Sequence, residues 1–499
     1  VAVGVLVAGA NVFLFSTLKS ELAPTEDRGT ISINGRAPEG STLDFTARYG
    51  SLVEKLAAET PEVAGVLFIV GARNDVTTVF GTMILKAWEE RGKRQQDITR
   101  EIRARLSRVP GINISASDPP SLGQSSRQKA VRFVLQSSGS FEELDRIAQK
   151  MIAAIEDNPG LTDVESDLTL NKPQLEVIID RDKAASLGIE AAVLARTLET
   201  FFGGRKVTRF ERHDKRYDVI VQVDDGDSRQ PSDLTALYVR TASGEMVQLS
   251  NLASVREKVG PKELLRFNKA RSTTISANLA PGYSLGEALA AMEAAAHEVL
   301  PPGYRYDYDG QSREFREASG TLYVTFLLAL GFIFLVLAAQ FESFAAPIVI
   351  LLSVPLSIAG ALAALLLTGG TLNVYSQIGL ITLVGLISKH GILIVEFANQ
   401  QRTEGKSAVD AVIEAARLRL RPILMTTGAM VLGAVPLALA TGPGAESRQD
   451  IGWVIVGGMS FGTLLTLFVV PVVYLLIMGR RAPATELEPD AVSARAHRE

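Results

Sequence analysis

The stretch 377-QIGLITLVGLISKHGILIVEF-397 is apolar along almost its whole length, with Lys389 and His390 set in its middle. About 20 apolar residues wound as an α-helix match the hydrocarbon thickness of a bilayer, so the segment reads as a membrane span. Glu396 lies close enough to its end to reach an interface. Lys389 lies at mid-span, where an ammonium is costly and normally faces a protein interior, pairing helices or serving ion movement. That residue makes the chain a candidate ion-driven transporter.

Working outward, further apolar blocks occupy 1–18, 321–340, 344–368, 422–441 and 452–478, and with 375–397 they predict six crossings. Hydrophobic residues make up 47% of the chain, enough for this division between lipid and water. Absence of cysteine excludes a disulfide scaffold, a Cys-based metal site and a thiol nucleophile. A net charge of −4 offers no electrostatic case for nucleic-acid binding. The large polar block holds only His213 and His297, a poor basis for a metal enzyme. Residue 1 is Val, and the chain is apolar from its start without a basic leader, so a truncated or processed product is expected.

Charge sets the orientation. The loop 401-QRTEGKSAVDAVIEAARLRLR-421 carries Arg402, Lys406, Arg417, Arg419 and Arg421, and Arg480 and Arg481 open the tail after the last block. Two crossings separate these places, so they share one side, which their excess of Lys and Arg marks as cytoplasmic. The turn 341-FES-343 then also lies in the cytoplasm. Loops 369-GGTLN-373 and 442-GPGAESRQD-450, with all of 19–320, lie outside, in a bacterium the periplasm.

The 19–320 block is patterned as soluble protein. It predicts strand 30-TISINGRA-37, helix 41–59, strand 63-VAGVLFIV-70, strand 78-TVFGTMILKA-87, helix 94–108 and strand 112-INISAS-117. This β-α-β-β-α-β order is the split, ferredoxin-like unit, with helices covering one face of a four-stranded sheet. The pattern recurs as 130-AVRFVLQS-137, helix 141–157 and 161-LTDVESDL-168, completed by 272-STTISANL-279, helix 284–299 and 304-YRYDYD-309. Between the halves, an insert of about 173–262 predicts strand 175-LEVIID-180, helix 189–202 ending at Gly203-Gly204, and hairpin-like pairs near 205–223 and 237–257. The predicted fold class is an α+β membrane protein: a transmembrane helix bundle with a large periplasmic region of ferredoxin-like subdomains and one inserted subdomain.

On this layout, the phrases 20-SELAPTEDRG-29, 340-QFESFAAPIVILLSVPLSIAGA-361, 385-GLISKHGILIVEFANQ-400 and 421-RPILMTTGAMVLGAVPLA-438 resemble the C-terminal half of a resistance-nodulation-division (RND) multidrug efflux permease of the hydrophobe/amphiphile class. The resemblance covers nearly the entire chain. It implies that 1–18 is a truncated span seven, 29–117 a first porter subdomain, 128–172 with 263–312 a second, 173–262 a docking subdomain and 479–499 a cytoplasmic tail. It also implies a homotrimer in the Gram-negative inner membrane, a drug/proton antiporter that moves amphiphilic or hydrophobic compounds from the periplasm or outer leaflet. Implied partners are a periplasmic membrane fusion (adaptor) protein, an outer-membrane channel protein and the N-terminal half of the same permease. Such a protein is a secondary transporter, not an enzyme, and uses the proton-motive force without a cofactor.

In that family a span-ten lysine contacts two aspartates on span four, and protonation switches the contact. The resemblance puts Lys389 in the lysine place, Thr426 in a threonine place on span eleven and Arg419 in an arginine place at the cytoplasmic mouth. Nearby Lys⁺ favours ionised carboxylates, so proton uptake would weaken the contact and release a helix shift. Plainer readings stand beside these: Lys389 as helix glue, Thr426 bonding its own i−4 carbonyl, and Arg419 as one positive-inside residue among several, with Arg421 competing. His390 points about 100° around the helix from Lys389. For the substrate pocket the resemblance picks out Phe68, Val70, Phe80 and Met83 beside the loop 71-GARNDVTT-78, with Arg73 able to bias charge selection; core packing of Phe68 and Phe80 is the alternative.

Other motifs fall away. The Gly pairs at 203–204, 369–370 and 457–458 lack a phosphate-binding context, and the carboxylates of 213-HDKRYD-218 and 224-DDGD-227 read as solvated turns. A metal-ion efflux relative would want clustered methionine or carboxylate ligands, whereas Met83, Met151, Met246 and Met292 are scattered through the polar block. A non-transporting docking or accessory membrane module remains the reading from another class.

Overall fold

The computed structural model describes residues 2–71, 75–123, 125, 128–222, 237–241 and 243–479. By contacts the chain separates into two compact units, Val1–Asp167 with Leu265–Glu499, and Leu168–Leu264.

The first unit opens with α1 (Ala2–Thr17), an apolar helix of 16 residues. The first sheet follows, with β1 (Thr30–Arg36), α2 (Leu43–Ala58), β2 (Val63–Val70), β3 (Thr78–Leu85), α3 (Gln95–Leu106) and β4 (Asn113–Ser117) in the expected β-α-β-β-α-β order. Its strands pair antiparallel in the order β2-β3-β1-β4. Thr42 starts α2 by accepting from the Phe45 amide at 3.2 Å, and Gly50, Val53 and Ala57 then turn one stripe toward the sheet. Ile98, Ile102 and Leu106 do the same from α3, meeting Ile31, Ile33, Val79 and Met83 in one core.

The second sheet begins with β5 (Val131–Ser137), α4 (Phe141–Ile155) and β6 (Leu161–Ser166). The smaller unit interrupts it with β7 (Lys172–Ile179), α5 (Arg181–Ser186), α6 (Ala191–Leu198), a π turn at Glu199–Gly203, and strands β8 (Arg205–Arg212), β9 (Lys215–Val221), β10 (Tyr238–Arg240), β11 (Met246–Gln248) and β12 (Ala253–Gly260). Here β8–β9 and β10–β11 are hairpins, β12 pairs with β7, and Leu194, Val239, Leu249 and Leu252 form the core. Back in the larger unit, β13 (Arg266–Phe267), β14 (Ala270–Leu279), α7 (Leu285–Val299) and β15 (Arg305–Tyr308) complete the second sheet, with β14 between β5 and β6. A Ser284–Glu287 capping box starts α7.

Five described helices are long and apolar enough to cross a membrane: α8 (Gly310–Gln340), α9 (Ala345–Thr368), α10 (Val374–Thr403), α11 (Ala408–Ala438) and α12 (Ala445–Met478). The blocks expected at 321–340, 344–368, 375–397, 422–441 and 452–478 each fall on one of these five helices, while α1, expected as a truncated span, has 16 residues and is not among them. The segment 401–421, expected as a loop, is helical from Ala408; it contains no Gly or Pro after that point, and Ser407 caps α11 through the Asp410 amide. In α9 a one-residue break at Leu352 precedes Pro355, whose ring excludes the carbonyl four residues back. The Pro355 carbonyl accepts from Asn11 Nδ2 at 2.8 Å, tying α1 to α9. α12 is the hub of the bundle, packing on α9, α10 and α11.

Candidate functional site

On α10, Ile378, Thr382, Gly385, Lys389 and Glu396 recur at helical spacing and are exposed, while Leu383, Ile387, His390, Ile394 and Ala398 are buried. The buried side meets α9, α11 and α12. Lys389 therefore points away from the helices of this chain, on a face that none of the described residues covers. A Cβ added to Gly385, one turn away, would meet nothing within 4 Å. No hydrogen bond or ion pair among the described residues joins Lys389 to Thr426 or Arg419.

Thr426 donates within its own helix, to the Pro422 and Ile423 carbonyls at 3.1 and 3.0 Å. Arg419 stacks its guanidinium 4.7 Å over the Phe397 ring, bridging α11 to α10, and its buried Nε has no hydrogen-bond partner among the described residues. Arg421 is exposed. Beside Lys389, His390 is 0% exposed and sits in a polar triangle inside the bundle. Its Nε2 lies 3.3 Å from Thr427 Oγ1 and its Nδ1 3.2 Å from Thr463 Oγ1, and the two hydroxyls are 3.2 Å apart.

The four described pocket candidates, Phe68, Val70, Phe80 and Met83, do not share a surface. Phe68 pairs with Gly81 and Val70 with Val79, which puts both on the face of buried Met83, packed against the core under α2 and α3. A Cβ at Gly81 would stand 2.2 Å from the Phe68 ring, so glycine there makes room for it. Phe80 belongs to the opposite face, with exposed Leu67, Ile69 and Ile84. Arg73 lies outside the described residues. The outer face thus runs from apolar on β2, through the mixed row Phe80, Thr82 and Ile84 on β3, to polar on β1 and β4, where Ser32, Asn34 and Ser115 follow.

The linker from α1 to β1 is anchored at the head of the bundle. Leu372 exchanges backbone hydrogen bonds with Lys19 and Glu21, at 2.8 and 3.1 Å. The Glu21 carboxylate accepts from Thr371 Oγ1 at 2.5 Å, Thr371 Oγ1 accepts from Asn373 Nδ2 at 2.9 Å, and Asn373 Nδ2 also reaches Asp450 Oδ2 at 2.5 Å. Burial pushes the Glu21 carboxyl up to about 7; the Thr371 bond opposes this, Asp450 adds to it and Lys19 opposes it. A cleft of about 420 Å³ opens here, lined by Lys19, Glu21, Arg103, Asp118 and Tyr283 among others. Farther along, buried Asp27 accepts from both terminal nitrogens of Arg91 at 3.1 and 3.0 Å and from the Gln95 amide at 2.9 Å. That fork fixes the linker to the start of α3.

The profile of the AcrB/AcrD/AcrF family matches residues 1–478. The chain belongs to that family. It is 39% identical over 489 residues to an uncharacterized transporter of Haemophilus influenzae, covering 97% of this chain and 47% of the relative. It is 33% identical over 497 residues to the multidrug/solvent efflux pump membrane transporter MepB of Pseudomonas putida, and 32% identical over 497 residues to a toluene efflux pump membrane transporter, TtgB, of the same species, again covering 97% of this chain and 47% of each relative. The chain spans about half the length of the curated relatives it matches.

As an AcrB/AcrD/AcrF-family RND protein it is a multi-pass protein of the inner membrane, of a transporter family rather than an enzyme family. Among the described residues no group of three or more His, Asp or Glu is arranged to hold a metal ion. Sequence reasoning passed over Thr427 and Thr463, whose hydroxyls meet His390 from two other helices. For Thr427 the available signal was its place one step from Thr426, as His390 is one step from Lys389; no named candidate lies beside Thr463.

Proposed function

We propose that this chain is one half of a proton-driven multidrug efflux permease, a drug/proton antiporter that exports amphiphilic or hydrophobic compounds from the periplasm or outer leaflet. The observation that carries the reading is Lys389: a mid-span ammonium on the face of α10 that none of the described residues covers, while the opposite face is packed to 0% exposure at Leu383, Ile387 and His390. A charge at that depth needs carboxylate or water partners, and the N-terminal half of the permease would supply them. Protonation of those carboxylates would weaken their hold on Lys389 and free α10 to shift.

The two four-strand arrangements, each in the spatial order second, third, first and fourth strand, support a ferredoxin-like reading of both porter subdomains. The largely apolar outer face of β2 and β3, with half-buried Phe80 beside Leu67, Ile69 and Ile84, offers amphiphiles a broad contact without a fixed hydrogen-bond code. Residues 173–262 are read as the docking subdomain, meeting a periplasmic adaptor protein and an outer-membrane channel in a trimeric assembly. The relatives from Pseudomonas putida, named as pumps for solvent, toluene and multiple drugs, fit this substrate class.

The test is dye efflux driven by an imposed pH gradient in proteoliposomes holding the complete permease, with wild type and Lys389→Ala at equal protein. Transport lost with assembly retained supports the coupling role. Undiminished transport in Lys389→Ala would sink it.

A further inference from the structure

The triangle beneath Lys389 joins three spans through three side chains: His390 on α10, Thr427 on α11 and Thr463 on α12. All three are buried, with His390 and Thr463 at 0% and 2% exposure. A neutral imidazole carries one donor and one acceptor, and each hydroxyl carries one donor and can accept. The three bonds therefore close head to tail, each member donating once and accepting once, and no buried polar atom in the ring is left over. Ring and hydroxyls also come from different helices, so closing the triangle fixes how far α10 is turned about its own axis. Lys389 precedes His390 by one residue, about 100° around that axis. Whatever sets the direction of His390 sets the direction of Lys389.

We propose that His390, Thr427 and Thr463 form an interhelical clasp that positions Lys389, with His390 a positioning residue that acts through the helix turn and not by carrying protons. The inference rests on the antiport reading for its link to transport, but not for its link to geometry. Hydrogen bonds between membrane helices are individually modest, which sets the size of the expected effects at about 3- to 10-fold.

The test uses the complete permease with one reporter cysteine, Thr382→Cys, on the Lys389 face, any other cysteines having been removed. His390→Leu is expected to change the rate of N-ethylmaleimide reaction at that cysteine by about 3-fold or more. The same variant should lower kcat for proton-driven efflux about 3- to 10-fold with KM unchanged. His390→Gln, which keeps a donor and an acceptor, should restore both readouts toward wild type. Thr463→Val should reproduce the loss and add nothing to His390→Leu, because the ring is already open. Equal labelling in wild type and His390→Leu would overturn the clasp, as would equal defects in the leucine and glutamine variants. Changed labelling with unchanged kcat would overturn its role in positioning Lys389. If the wild-type permease moves no substrate with protons, the antiport reading fails by itself, and the labelling series alone still decides whether the clasp orients α10.

Discussion

Glu21 makes the chain sensitive to pH at a point where no apolar pattern would draw attention. Its carboxyl is raised from the ordinary value to about 7, first by burial. A folded-state value above the unfolded one means that the native protein binds this proton more tightly. The resulting stability is complete below about pH 4.5 and is lost as pH rises through about 7. The full excursion is on the order of 3 kcal/mol. Thermal unfolding in detergent should therefore show wild type losing stability between pH 5 and 8 relative to Glu21→Gln, which stays neutral throughout; parallel curves would refute the assignment. Thr466 gives a second test. It is 0% exposed and its hydroxyl has no partner among the described residues, so Thr466→Val should be neutral or stabilising by about 1 kcal/mol, because an unpaired buried donor is removed without a change of shape. A melting temperature several degrees lower in that variant would show that the hydroxyl is in use. At this level the sequence was least legible. Thr426 and Thr427 are adjacent identical residues, yet one bonds its own helix and the other crosses to His390. Only the rotation of α11 against two other helices separates them.

Periodicity carried much further for helices and strands. Both β-α-β-β-α-β runs are legible because alternation marks each strand and a three- and four-residue stripe marks each helix, with Thr42, Ser140 and Ser284 at the starts. Which face of β2 and β3 a given Phe occupies was not legible, because pairing register decides it: a one-residue slip would exchange Phe68 and Phe80 between core and outer face. The ends of the spans also exceeded the hydropathy blocks, since helices α8 and α11 continue through polar sequence once nothing stops them. Contacts between spans turn on small residues. A Cβ at Gly452 of α12 would stand 2.3 Å from the Ala438 backbone nitrogen and 2.5 Å from its Cα. Backbone cannot swing aside as a flexible side chain can, so Gly452→Ala must push α11 from α12. A loss of about 1–3 kcal/mol is expected in thermal unfolding, in the range of other overpacked sites. Gly331→Ala on α8, where an added Cβ meets nothing within 4 Å, is the control and should cost nothing. Equal behaviour of the two variants would mean that the α11–α12 approach is looser than described.

The division of the chain into two units has a consequence for how it is assembled. The smaller unit, Leu168–Leu264, leaves and re-enters at nearly the same point: the Lys262 amide donates to the Thr169 carbonyl at 3.2 Å, and β7 and β12 pair from Lys172 with Gly260 through Ile179 with Ala253. Its ends are thus closed by its own hydrogen bonds, and its core of Ala184, Ile189, Leu194, Val239, Leu249 and Leu252 is its own. In the larger unit, β6 and β14 pair directly, with the Asp167 amide also donating to the Thr274 carbonyl at 3.1 Å, so the second sheet does not use the insert to hold its strands. Thr169 and Lys262 are hydrogen-bonded neighbours, so a short Gly/Ser linker in place of Thr169–Lys262 has only a short gap to span between Leu168 and Glu263. The trimmed protein should therefore insert into the membrane and resist protease as the wild type does. If the insert is the docking subdomain, proteoliposome transport by the trimmed permease should persist while efflux that depends on the outer-membrane channel is lost in cells. The opposite pattern, misfolding of the trimmed protein, would mean that the second sheet depends on the insert after all, and retained efflux in cells would remove the docking role from these residues.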